Sequence, residues 1–314
     1  MALSVPTTIS AISLDAHLRS AGVCDSLRHL IAYVGIACKH IVREVWCGRA
    51  GRTGAHNVYQ EEQYELDVLS NRILEEHMRL NELVACYASE ECEQIVQLRK
   101  DAPYSLVFDP LDGSSLIDVN FAIGTIAGVY HGPEILGRRP REQAAAMYIL
   151  YGPRTTLTYS VGAGKGVHEF VLDDIGEFVY HKSCHVEPDA KAYAPGNISA
   201  AASSPGYKRL VDLWIHEQKT LRYSGCMVPD IHHILSKGNG IFCNLSGGKF
   251  PEGKLRLPFE CGPFAFLVEE AGGASSDGQR SILDKSIDRI EQRTQFIVGS
   301  KNEVDRVTTI LREG

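Results

Sequence analysis

Nowhere in these 314 residues does an apolar run approach the roughly 20 residues needed to span a bilayer, and residues 1–13 lack the charged start and long apolar stretch of a secretory signal. These absences predict a cytoplasmic protein without a membrane partner, and the Ser/Thr-rich stretch before Asp15 leaves an organellar address open. Positive charge is scarce too: 32 Lys and Arg stand against 39 Asp and Glu, for a formal net charge of −7 and a pI near 6.0. That balance argues against nucleic acid as a partner and means that an anionic ligand must be drawn by local Lys, Arg or metal charge. No Cys-x-x-Cys pair occurs among the nine cysteines, so reduced thiols fit better than a disulfide framework, and Cys226 and Cys261 read as core residues. Internal repeats and low-complexity tracts are absent.

What is present is a 44% hydrophobic chain in which strand-like and helix-like segments alternate, which predicts an α/β fold. The polar stretch 182–190 divides it into two lobes, 1–188 and 189–314. Leu27, Leu30, Ile31, Val34, Cys38, Ile41 and Val45 recur at helical spacing from Asp25, and Glu61–Leu80 repeats the pattern with Leu66, Leu69 and Ile73 inward. Residues 1–13 read as a loose arm, and 47–57, with three glycines, as a mobile loop or a plain connector. Strands are expected at 83–88, 104–108, 121–130, 155–161, 167–172 and 177–181, and an Ala-rich helix at 141–151. In the second lobe a strand begins at Ala192, a helix runs from Pro205 to Gln218, and another runs from Gly262 to the paired glycines Gly272 and Gly273.

The stretch around which this organises is Phe108-Asp-Pro-Leu-Asp-Gly-Ser-Ser115. A buried strand ends at Asp109, Pro110 holds it extended, and the Leu111 carbonyl and Asp112 carboxylate can turn back toward it. Three oxygens converging in this way suit a hard divalent cation. Gly113, Ser114 and Ser115 follow at the start of a helical turn, where backbone N–H groups face an anion. An exposed turn would use many of the same residues.

Other candidates flank it. Asp67 lies on the inner face of its helix, where an acid costs several kcal/mol unless paired, metal-bound or protonated. Glu90 and Glu91 follow a strand and would otherwise be a solvated acidic surface. Asn197 follows Pro195-Gly196 in a turn and can donate its amide N–H to a phosphate. Along Lys254–Glu260 strict alternation puts Lys254, Arg256, Pro258 and Glu260 on one strand face, a pattern an ordinary half-exposed strand shares.

Asp-Pro-Leu-Asp-Gly-Ser-Ser, with Ser89-Glu-Glu91 and Lys254-Leu-Arg-Leu-Pro-Phe-Glu260, resembles the sugar-bisphosphatase and inositol-monophosphatase superfamily, and within it the fructose-bisphosphatases and, more closely, sedoheptulose-1,7-bisphosphatases. The resemblance covers about 25 to 312. It implies a layered α-β-α-β-α sandwich of two lobes with mixed sheets. By the same resemblance, Glu90, Asp109, Leu111, Asp112 and Glu260 hold two or three Mg²⁺ per subunit, or Mn²⁺ in their place, and Glu91 with Asp67 takes the proton of the attacking water. Gly113, Ser114, Ser115 and Arg256 hold the transferred phosphate. Asn197, Tyr223 and Lys254 hold the distal phosphate, Gly225 and Met227 line the sugar, and Arg222 reaches a neighbouring subunit's distal phosphate, which implies a homodimer or homotetramer.

Finer features separate the two branches. Ala21-Gly-Val-Cys-Asp25 stands where fructose-bisphosphatases carry Thr-Gly-Glu-Met-Thr for inhibitory AMP, and Pro103-Tyr104 where they tend to have Lys-Tyr, so no AMP pocket is expected. Asn244 stands where they place a phosphate-binding Tyr, and Asp118-Val-Asn-Phe, Tyr151-Gly-Pro-Arg-Thr-Thr, Met227-Val-Pro-Asp and Ser275-Ser-Asp-Gly likewise resemble the seven-carbon branch. Plant members carry two cysteines in the first-lobe loop, where here Cys47 stands alone, so thioredoxin-type control is not expected. The alternatives are an AMP-insensitive fructose-1,6-bisphosphatase, a dual-specificity enzyme, a sugar-phosphate-binding regulator, or a magnesium-dependent aldolase or isomerase. For the last, no Lys falls in the acidic motifs.

Overall fold

Along Tyr104–Asp112 successive side chains point to opposite faces, and both faces are buried: Leu106 and Phe108 join one apolar cluster and Val107 another. The computed structural model, which describes residues 12–47, 52–56 and 62–313, shows what covers them. Helices α1 (Leu14–Ser20), α2 (Asp25–Trp46) and α3 (Glu65–Leu80) cover one face, with an antiparallel pair, β1 (Arg52–His56) and β2 (Glu62–Tyr64), just before α3. The sheet itself comprises β3 (Val84–Ser89), β4 (Val96–Gln97), β5 (Tyr104–Asp112), β6 (Ile123–His131), β7 (Gln143–Tyr151), β8 (Thr155–Ser160), β9 (Val167–Leu172) and β10 (Phe178–Cys184). Its order is β10-β9-β8-β7-β6-β5-β3-β4, mostly antiparallel, with β3 and β5 parallel.

The chain continues through β11 (Ala192–Gly196), α4 (Pro205–His216), β12 (Thr220–Leu221), α5 (Met227–Lys237), β13 (Ile241–Asn244), β14 (Leu255–Arg256) and α6 (Gly262–Glu270). It ends with β15 (Ala274–Ser276), β16 (Arg293–Thr294), β17 (Phe296–Gly299) and α7 (Lys301–Glu313). A second mixed sheet has the order β12-β11-β13-β17-β15, and β14 pairs with β16. Ile231 and Ile234 of α5 and Phe264 and Leu267 of α6 share one apolar cluster with Val107 and Tyr148 of the first sheet and Phe242 and Val298 of the second. Helices α4 and α7 close the outer face through Trp214, Leu210, Val304, Val307 and Ile310. The layers are therefore α-β-α-β-α. Val304, Val307 and Ile310 recur every three residues along one side of α7, and each such burial contributes about 1.5–3 kcal/mol.

Several expectations need correction. The Ala-rich segment 141–151 is not a helix: a 3₁₀ turn at Pro140–Glu142 leads into strand β7, whose nine residues are all buried between β6 and β8. Ala145, Met147 and Ile149 face one core and Ala146, Tyr148 and Leu150 the other, so burial on two faces overrides a helix preference of about 0.7 kcal/mol per residue or less. Lys254–Glu260 is not one strand: after Leu255–Arg256 the chain enters a π-helical turn at Leu257–Cys261, and 255 to 261 are all buried. Pro258 has no N–H for a ladder, which fits the break. The second helix begins at Glu65 rather than Glu61, because Asp67 Oδ2 accepts the Tyr64 N–H at 3.0 Å and caps it there. Of that helix's expected inward residues Leu66 is buried, whereas Leu69 and Ile73 are half-buried; Leu74 and Met78 complete the core face. The segment 47–57 contains strand β1, and its remainder beyond Cys47 lies outside the described residues. Residues 1–11 of the expected arm also lie outside them, while Ser13 bridges to Val179 and caps α1, a helix too short for periodicity to find. Gly272 ends α6 at φ 95°, as its pairing with Gly273 predicts.

Candidate active site

Because β3 and β5 are parallel neighbours, their C-terminal ends lie side by side. Ser89 pairs with Phe108, and the Glu90 N–H donates to the Phe108 carbonyl at 3.0 Å, which brings the acids after one strand against Asp109 of the other. Between Asp109 and Asp112 the register against β6 shifts, the mark of a bulge that re-aims side chains. Asp109 Oδ1 accepts the Leu111 N–H at 2.9 Å, and Thr125 Oγ1 donates to the Pro110 carbonyl at 2.8 Å, fixing the bend. Gly113 takes φ 88°, and a 3₁₀ turn at Ser114–Val119 follows, so the helical start expected there is observed.

The third contributor arrives through the π turn. It brings Glu260 back so that its Oε2 accepts the Arg256 N–H at 2.6 Å, while Arg256 Nη1 forms an ion pair with Glu90 Oε1. One oxygen from each of Asp109, Asp112 and Glu260 can be chosen so that all lie within 4.8 Å of one another, the one such cluster among the described residues. Burial, and then the neighbouring Glu90, Asp112 and Glu260 carboxylates, push Asp109 well above its ordinary range. Burial and then Glu90 do the same to Glu260. Asp112 is raised by burial, against hydrogen bonds from Cys226 and Val228 that favour its charged form. Converging, buried, mutually repelling carboxylates are a donor set that a hard divalent cation relieves, so these residues fit such an ion. Leu111 lines the same cavity.

Asp67 sits beside this cluster at 4% exposure. Burial pushes it up to about 7, the Tyr64 N–H opposes that, Glu91 and Glu90 add to it, and the Ser114 hydroxyl hydrogen-bonds to it. The acid on an apolar helix face thus has its partners at the helix start and in the site.

Asp67, Glu90, Glu91, Gly113, Ser114, Ser115, Lys254 and Arg256 line one cavity of about 680 Å³ with the acidic cluster, and Asn197, Tyr223, Gly225 and Met227 line the same cavity. The Asn197 amide donates to the Leu245 carbonyl at 2.7 Å, so within the chain it braces the cavity wall. Arg222 is not brought in: it is exposed and donates to its own neighbour's carbonyl, Leu221, at 2.9 Å. Reading the sequence also missed Asp230 and Arg293, both on the cavity wall. An acid in the first turn of α5, set among the apolar Met227, Val228 and Ile231, was the available signal for Asp230. For Arg293 there was none.

Comparison with known proteins agrees with this architecture. Residues 7–183 match the family model "Fructose-1-6-bisphosphatase, N-terminal domain" and 186–312 the C-terminal domain. A fructose-1,6-bisphosphatase class 1 from Geobacter sulfurreducens is 43% identical over 296 residues, 93% of each chain. The chloroplastic sedoheptulose-1,7-bisphosphatase of Triticum aestivum is 39% identical over 97% of this chain and 78% of the relative. Among solved structures, a Toxoplasma gondii protein provisionally named a sedoheptulose-1,7 bisphosphatase superposes with a TM-score of 0.90 at 32% identity, covering 96% of this chain and 98% of that one. The fructose-1,6-bisphosphatase of Leishmania major superposes with a TM-score of 0.89 at 30% identity, covering 98% and 100%.

Proposed function

The chain belongs to the fructose-1-6-bisphosphatase family and is a sugar bisphosphatase, and on that premise we propose that it hydrolyses the 1-phosphate of sedoheptulose 1,7-bisphosphate. The observation that carries the chemistry is the Asp109, Asp112 and Glu260 cluster opening on one cavity with Lys254 and Arg256. A divalent cation, Mg²⁺ in this reading, held there by those three with Glu90 and the Leu111 carbonyl, would offset the phosphate's charge and acidify water. Glu91 with Asp67 accepts the proton of the attacking water at their carboxylate oxygens. The backbone N–H groups of Gly113, Ser114 and Ser115 hold equatorial oxygens of the transferred phosphate, and Arg256, released from Glu90, joins them. Asn197, Tyr223 and Lys254 position the distal phosphate, while Gly225 and Met227 pack on the sugar chain. Arg222, exposed on its own subunit, serves the site of a second copy in a homodimer or homotetramer.

Support for the seven-carbon substrate comes from Asn244, which is 6% exposed on the cavity wall with Oδ1 lacking a hydrogen-bond partner among the described residues. A tyrosine there would fill space that Asn leaves to a longer substrate. The second reading, fructose 1,6-bisphosphate as substrate, is favoured by the names of the 43% and 42% identical bacterial relatives. No helix among the described residues is long and apolar enough to cross a membrane. The test is phosphate release from sedoheptulose 1,7-bisphosphate with Mg²⁺: release that EDTA abolishes supports the proposal, and binding without release contradicts it.

A further inference from the structure

Asp112 Oδ2 takes two hydrogen bonds from one turn of chain: the Val228 N–H donates at 2.7 Å and the Cys226 thiol at 3.0 Å. Both donors come from the start of α5, far in sequence from the strand that carries Asp112. The turn is itself fastened. Asp230 Oδ1 accepts the Ser224 N–H at 2.7 Å, the Cys226 N–H donates to Ser224 Oγ at 3.1 Å, and Ser224 Oγ donates to the Cys226 carbonyl at 3.0 Å. Asp230 is 5% exposed and has no part in the mechanism above. The approach is so close that a Cβ on Gly113 would lie 2.5 Å from Cys226 Sγ. With Oδ2 doubly held, Oδ1 is the Asp112 oxygen without a hydrogen bond among the described residues.

We propose that the 224–228 turn is a positioning device for the metal site: the Cys226 thiol and Val228 amide, anchored by Asp230, fix the Asp112 carboxylate so that Oδ1 alone is presented to the cation. This rests on reading Asp112 as a ligand. A freely rotating carboxylate would sample orientations in which neither oxygen meets the ion, and partners that hold a ligand typically change metal affinity about 10–100-fold. Cys226 is thus a positioning residue, and its thiol matters as a hydrogen-bond donor.

The test is Mn²⁺ titration of the metal-stripped full chain, with free Mn²⁺ read by electron paramagnetic resonance, alongside kcat and KM. Cys226→Ala should weaken Mn²⁺ binding about tenfold or more, and Cys226→Ser, which keeps a donor, should return it to within about threefold of wild type. Asp230→Ala, which leaves Cys226 and Asp112 intact, should weaken binding in the same direction while KM at saturating Mn²⁺ moves less. Equal weakening by Cys226→Ala and Cys226→Ser overturns the donor role, and wild-type affinity in both Cys226→Ala and Asp230→Ala overturns the inference. Asp112→Asn separates the two levels. If that variant binds Mn²⁺ like wild type, the ligand reading fails; if it loses binding while Cys226→Ala does not, the positioning inference alone fails.

Discussion

Replacing Asp67 by Asn tests whether the site's electrostatics are as the geometry requires. Burial, with help from Glu91 and Glu90, lifts Asp67 from 3.8 to about 7. An acid whose folded pKa is raised contributes most below its unfolded value, and that contribution is lost as pH rises through the folded one, here from about pH 4 to about pH 7. The full rise corresponds to about 4 kcal/mol, a large share of the roughly 5–15 kcal/mol of a typical domain. At 4% exposure there is little solvent to screen it. Asn keeps a carbonyl oxygen to accept the Tyr64 N–H, so the cap on α3 survives while the ionisation disappears. Urea unfolding of the metal-stripped protein between pH 5 and pH 8 is the assay. Relative to wild type, Asp67→Asn should gain about 3 kcal/mol across that range, because wild type must ionise a buried carboxyl and the variant need not. Carboxyls remote from Asp67 titrate alike in both proteins, so the difference reports Asp67 together with its repulsion of Glu91 and Glu90. Parallel stability profiles would refute the reasoning. The proposed role of Asp67 as a proton acceptor predicts in addition that kcat falls about 10²–10⁴-fold in the variant.

Gly113→Ala should destabilise by about 2–5 kcal/mol, combining a left-handed φ of 88° with overlap on Cys226, and Cys226→Gly should recover part of it. A shift in the urea midpoint worth less than about 1 kcal/mol would show that the turn yields more readily than its packing implies. Arg222→Ala should raise KM for the bisphosphate about tenfold, the loss of roughly one charge-assisted hydrogen bond, and mixing it with Asp112→Asn should restore activity through mixed dimers. No recovery in mixtures shown to contain such dimers would remove Arg222 from the neighbouring site. AMP at millimolar concentration should not inhibit, since Ala21–Asp25 lacks the expected segment; inhibition at micromolar AMP would return the chain to the fructose-bisphosphatase reading.

Helices α2 and α3 were legible because a half-buried helix must repeat its apolar face every three or four residues. The Asp109–Ser115 stretch was legible for another reason: Pro and a left-handed Gly restrict the backbone so tightly that local sequence nearly determines the path. Strand β7 was not, because its alanines are small only to fit between two neighbours, and that fact belongs to the packing. The π turn at Leu257–Cys261 was hidden behind strict alternation, yet Arg256 and Glu260 still meet, now four residues apart on one turn rather than two strand steps apart on one face. Nothing local marks the hold of Cys226 on Asp112, since it depends on a contact between residues 114 apart.

The most direct measurement is kcat/KM for sedoheptulose 1,7-bisphosphate and fructose 1,6-bisphosphate, side by side at saturating Mg²⁺. A value at least about tenfold higher for the seven-carbon substrate, equivalent to about 1.4 kcal/mol in the transition state, is predicted. An equal or higher value for fructose 1,6-bisphosphate would contradict the proposed substrate.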